Sequence, residues 1–156
     1  MIRLCSVWGA ASLIACVAAS CTAQGGGADN DRLVGAWKLV SLEQPRPDGK
    51  TSRIECCGMF VFTQDGHASV QVMQPATQGP AGAETANRYS QGGYEASYGT
   101  YVVNEKDHTF VLHVEGALAR DLIGKDLPRH FEFAGNRLIV RSAQPDEHWR
   151  VVWERY

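Results

Sequence analysis

From Leu33 to the C-terminus, apolar residues alternate with polar ones or gather in short β-branched runs. Alternation sends successive side chains to opposite faces of a strand, so one face can be buried while the other stays wet. Eight segments fit this pattern: LVGAWKLVSLE, GMFVFT, HASVQVM, SYGTYVV, HTFVLHVEGAL, RHFEF, RLIVRSA and HWRVVWERY. Pro45, Pro47 and Asp48-Gly49 stop the first. Gln64-Asp65-Gly66 separates the second from the third, and Ala134-Gly135-Asn136 the sixth from the seventh. Both are hairpin signals, because their central residues tolerate positive φ. Short turns between most adjacent pairs predict antiparallel, up-and-down order.

Two longer connections interrupt the series. Residues 74–96 hold two prolines and four glycines and predict a flap, with one helical turn near Glu84–Tyr89. The stretch ARDLIGKDL predicts a short helix or turn. Eight antiparallel strands leave fewest unpaired edges when they close, so the expected fold is all-β, an eight-stranded antiparallel up-and-down barrel over residues 33–156. Such a barrel has room inside for side chains or one small ligand. A two-sheet sandwich is the structural alternative.

The first twenty residues do not belong to this pattern. Arg3 is followed by an uncharged run from Leu4 to Ala19, and Ala18, Ala19 and Ser20 are small. These are the n-region, h-region and cleavage features of an export signal, and the run is short for a spanning helix. Cys21 directly after Ala-Ala-Ser resembles the lipobox of bacterial lipoproteins, which implies lipidation of Cys21 and a membrane anchor. The rival is an ordinary signal cut after Ser20 or Ala23, which leaves a soluble periplasmic or secreted protein. Residues 21–32 then read as a flexible Gly/polar tether.

Composition narrows the function classes. The chain has 156 residues, 44% hydrophobic and 21% charged, in keeping with one globular domain. Fifteen basic against seventeen acidic residues leave no basic excess for nucleic acid. No nucleophile elbow, phosphate loop or zinc spacing occurs, and no cofactor or metal is expected. Cys56 and Cys57 are adjacent and do not make a disulfide scaffold.

Chemistry-bearing residues fall on particular strand faces. Val111, His113 and Glu115 share one face, Ser69, Gln71 and Met73 another, and Arg129, Phe131 and Phe133 a third. Gly99, Tyr101 and Val103 lie opposite Tyr98, Thr100 and Val102. One reading leaves His113, Glu115, Ser69 and Gln71 solvated on the outside. The sharper reading turns them inward with Tyr101 and Arg129 as ligand-binding residues, since the polar groups of a pocket are few and convergent.

Gly35-Ala36-Trp37 at the head of the first strand resembles the lipocalin signature. The resemblance implies that Trp37 plugs one barrel end and that Arg155 packs over it. Six segments, LVGAWKLVSLE, GMFVFTQDGHASVQVM, YEASYGTYVVNE, TFVLHVEGAL, LIGKDLPRHFEFAGNRLIV and VVWER, are similar in order to the bacterial and fungal lipocalin-like domain family. The chain departs from that family at ARDLIG and in the Gly/Gln-rich loop, both expected to border the barrel mouth. The expected function is an exported barrel binding a small apolar or amphipathic molecule. Two alternatives stand beside it: an isomerase or cyclase with His113 and Glu115 as its acid/base pair, and a ligand-free envelope interaction protein.

Overall fold

A computed structural model describes residues 28–46, 48–74 and 88–156. The expected signal segment, Cys21 and most of the expected flap, residues 75–87, lie outside the described residues.

The described residues form ten strands: β1 (Gly35–Pro45), β2 (Thr51–Ile54), β3 (Cys57–Phe62), β4 (His67–Met73), β5 (Ser90–Gln91), β6 (Tyr94–Asn104), β7 (Thr109–Ala117), β8 (Asp126–Ala134), β9 (Arg137–Ser142) and β10 (Arg150–Arg155). Eight of them run in the order β1-β3-β4-β6-β7-β8-β9-β10, every pairing antiparallel, and β10 returns to β1 to close the barrel. The eight-stranded up-and-down barrel expected from the sequence is therefore the fold.

The two additional strands extend two of the eight. β2 pairs with the second half of β1 (Leu42 opposite Ile54), while β3 pairs with the first half (Lys38 opposite Met59). The register slips by one residue around Glu55-Cys56, so β2 and β3 act as one bulged strand. β5 folds back on the start of β6 through Gly92-Gly93. The sequence hid both: TSRI is mostly polar, and a two-residue strand has no period to read.

The burial pattern of each strand explains closure. β7 buries Phe110, Leu112 and Val114 and turns Val111, His113 and Glu115 outward. β10 buries Val151 and Trp153, and β4 buries Ala68, Val70 and Val72. One barrel end is filled by an aromatic cluster: Phe62 stacks edge-on to Tyr101 and Phe110 at ring separations of 5.1 Å and 5.4 Å.

The same end is sealed by a six-residue helix, α1 (Ala28–Leu33), and by Trp37. The Trp37 indole N–H donates to the Leu33 carbonyl at 2.8 Å, and the Arg155 guanidinium lies 4.2 Å above the indole ring. Arg155 also donates to the carbonyls of Val34 and Arg32. Gly35 has φ +130, which favours glycine, and a Cβ there would push that guanidinium aside. The plug implied by the lipocalin resemblance is present.

Residues 28–32 were expected to be tether, yet they sit in this helix. Arg32 covers the Phe133 ring at 3.9 Å, and the Asp29 carboxylate meets His108 at 3.0 Å. Their partners are distant in sequence, which is why local composition read as flexible.

Candidate functional site

Strand direction places everything else. β1 starts at the sealed end and finishes at the opposite one, so Leu42, Val72, Glu95, Ser97, Arg129 and Trp149 belong to the open half. That half encloses a cavity of about 70 Å³. Its walls are apolar, from Leu39, Phe60, Val70, Leu112, Val140 and Trp153. Polar side chains gather towards its mouth: Gln44, Tyr89, Glu95, Ser97 and Arg129.

Arg129 is the centre of this group and is only 7% exposed. Its guanidinium lies 5.1 Å from the Tyr89 ring and 4.9 Å from the Trp149 ring, positions in which the aromatic faces stabilise the charge. It donates to the Pro128 carbonyl at 3.0 Å, but the nearest Glu147 oxygen is 3.9 Å away. Glu147 is engaged elsewhere. It accepts from the Tyr89 hydroxyl at 2.5 Å and 2.7 Å, from the Trp149 indole at 3.2 Å, and pairs with Arg88 at 3.0 Å.

These contacts set the protonation states. Burial alone would raise the Glu147 carboxyl, but hydrogen bonds from Ser142, Tyr89 and Trp149 and the Arg129 charge outweigh it and hold it below its ordinary value. The Tyr89 hydroxyl is pushed up to about 12, by burial first and by its Glu147 bond, with Arg129 opposing. Glu95 is pushed up to about 7 by burial, only partly offset by Arg129. Glu95 has no ion pair among the described residues. Cys56, at the bulge between β2 and β3, is pushed up to about 11 by burial and by the neighbouring Cys57 and Glu95. It stays a thiol and is not a poised nucleophile.

The profile of the family described as "lipocalin-like domain" matches residues 34–156, which is most of the chain. The chain belongs to the lipocalin-like domain family. Similar solved structures include a lipocalin-like protein from Bacteroides uniformis, at 13% identity and a TM-score of 0.49 over 80% of this chain and 99% of that one. Another is an uncharacterized protein from Bacteroides eggerthii, at 15% identity and a TM-score of 0.47 over the same shares. No curated protein matches the chain.

In this lipocalin-like domain, one of the six expected ligand-binding residues lines the cavity: Arg129. His113 and Glu115 are corrected to the outer wall. His113 has a 52% exposed side chain and pairs with Asp126 at 2.8 Å. The reason is parity, because Phe110, Leu112 and Val114 on the same strand are the apolar set that must be buried. The acid/base pair considered for an enzyme is thus absent from the cavity. Ser69 and Gln71 are likewise corrected to the outer wall, where the Gln71 amide donates to the Ser69 hydroxyl at 2.8 Å. Tyr101 points inward but in the sealed half, where its hydroxyl donates to the Thr63 carbonyl at 3.0 Å.

The residues that sequence reading missed carried usable signals. Extending the inward parity of Ser97, Gly99 and Tyr101 back by two residues reaches Glu95. Extending that of Val151 and Trp153 back in the same way reaches Trp149 and Glu147. Tyr89 had no such signal, because it lies ahead of the regular strands. The indole N–H of Trp153, which lines the cavity, is the one buried side-chain donor without a hydrogen-bond partner among the described residues.

Proposed function

We propose that this chain is a carrier for a small amphipathic molecule, exported and held at a bacterial membrane through a lipid on Cys21. The observation behind it is a barrel with one end sealed by Trp37 and a cavity in the other half, whose walls are apolar and whose polar groups converge at the mouth. That is the distribution a pocket for an apolar body with a polar head requires. The enclosed space of about 70 Å³ is smaller than the ~150 Å³ that accommodates benzene. The resting space therefore takes only a short apolar chain whose head lies in the mouth, and Tyr89 and Trp149 must give way to a longer tail or a ring.

The proposal is tested by filling the cavity. Leu112→Trp is expected to weaken binding of a fluorescent amphiphile by at least about tenfold, roughly 1.4 kcal/mol, while the β-type circular dichroism spectrum is retained. Unchanged binding in the filled variant rules the cavity out as the site. The anchor is tested separately by the intact mass of protein purified from membranes. It should correspond to a chain that starts at Cys21 with acyl groups attached, and an unmodified chain cut after Ala23 would refute it.

A further inference from the structure

At the mouth two guanidiniums, Arg129 and Arg88, share one ionised carboxylate, Glu147. Arg129 comes from β8, Arg88 and Tyr89 precede β5, Glu95 opens β6, Glu147 precedes β10, and the Cys56 thiol lies at the β2–β3 bulge. Tyr89 and Cys56 are neutral near neutral pH, for the reasons given above. Arg88 is 47% exposed on its side chain, so water solvates its charge. Glu147 is ionised, but its oxygens already serve Tyr89, Trp149 and Arg88. Arg129 is left in a loose ion pair with Glu147 at 3.9 Å, too long for a hydrogen bond, so it is a buried cation with donors to spare. Burying such a charge is costly unless an anion meets it.

Resting on the carrier reading, we infer that the occupant bears a single negative charge, a carboxylate or similar head that docks on Arg129, and that Glu95 takes up a proton when it binds. A cationic head adds to the surplus positive charge, and a neutral head leaves it standing. An ionised Glu95 competes with the ligand for Arg129, because two anions at one guanidinium repel each other in a low-dielectric site. Protonated Glu95 removes that repulsion and offers a hydroxyl donor to the incoming head. The group is suited to the switch, since burial already places its titration near neutrality. By linkage, the affinity for an anion then falls as pH rises through this range, by at most about tenfold per unit.

The test uses three probes with one tail: octanoate, octanol and octylamine. Binding is followed by the fluorescence of Trp149 and Trp153, which line the cavity. Near pH 6, octanoate is expected to bind at least about tenfold more tightly than the other two. Its affinity should drop several-fold, with about tenfold as the ceiling for one proton, near pH 8, through which range the probe itself stays ionised. Glu95→Gln should flatten that pH dependence and keep the preference for the carboxylate, whereas Arg129→Gln should abolish the preference. Octanol equal to octanoate, a preference for octylamine, or a pH-independent octanoate affinity in the unaltered protein each overturns the inference and leaves the carrier standing. Binding of none of the three overturns the carrier reading and this inference with it. These wild-type measurements decide the matter even if Arg129→Gln fails to fold.

Discussion

Replacing Trp37 with alanine is expected to destabilise the barrel by about 3–5 kcal/mol and to lower its thermal midpoint by roughly 10–20 °C. The indole is 2% exposed and closes the barrel floor, so its removal leaves a void that surrounding side chains cannot fill without moving backbone. Three other interactions are lost with it. The Leu33 carbonyl loses its 2.8 Å donor, the Arg155 guanidinium loses the aromatic face 4.2 Å below it, and the Phe133 ring loses a neighbour at 6.1 Å. Trp37→Phe separates these contributions, since it keeps most of the bulk and deletes the N–H. It should cost about half as much, because an unpaired buried carbonyl and a smaller void remain. Arg155→Lys retains a charge but not a planar fork able to reach both the Val34 and Arg32 carbonyls, so α1 should loosen from the barrel. Chemical denaturation of the three variants checks the ranking. A Trp37→Ala loss below about 1 kcal/mol would mean that the plug is ornamental, and the sealed end would have to be explained by the aromatic cluster alone.

The contrast between that end and the mouth shows what a sequence makes legible here. Strand faces are read from a period of two, and the apolar sets of β4, β7 and β10 were long enough to fix inside and outside once burial was given its usual priority. An inward His113 and Glu115 would require polar chemistry to outrank Phe110, Leu112 and Val114, three residues that cannot all be left in water. The Trp37–Arg155 stack was legible only through the resemblance of Gly35-Ala36-Trp37 and the terminal arginine to the lipocalin signature. The mouth was not. Its cluster joins Tyr89 and Arg88 to Glu147 across 58 residues or so of chain, through an irregular turn on one side and a loop on the other. No periodicity links such positions, and α1 escaped notice for the same reason. Both are built from tertiary contacts whose partners local sequence does not name.

Glu95→Gln is expected to stabilise the ligand-free protein by about 2–3 kcal/mol near pH 8 and by little near pH 4.5. In the native state the Glu95 carboxyl titrates at about 7, raised from 4.5 chiefly by burial. Between those values the folded chain holds a proton that the unfolded chain has released, so stability falls as pH rises through the window. Above it the full cost of an ionised carboxylate in the lumen is present, with Arg129 offsetting only part of it. Glutamine keeps the shape and removes the ionisation. Urea unfolding at the two pH values gives the answer directly, provided that the denaturant dependence is unchanged between variant and parent. Equal stability of parent and variant near pH 8 would show that Arg129 already compensates the charge, and the mouth would then have no surplus cation to offer an anionic occupant. The expected result carries the opposite meaning. A barrel floor optimised around Trp37 coexists with a mouth that gives up stability at neutral pH, and a cost of that kind at one end of a cavity is what a binding site, rather than a structural core, is expected to show.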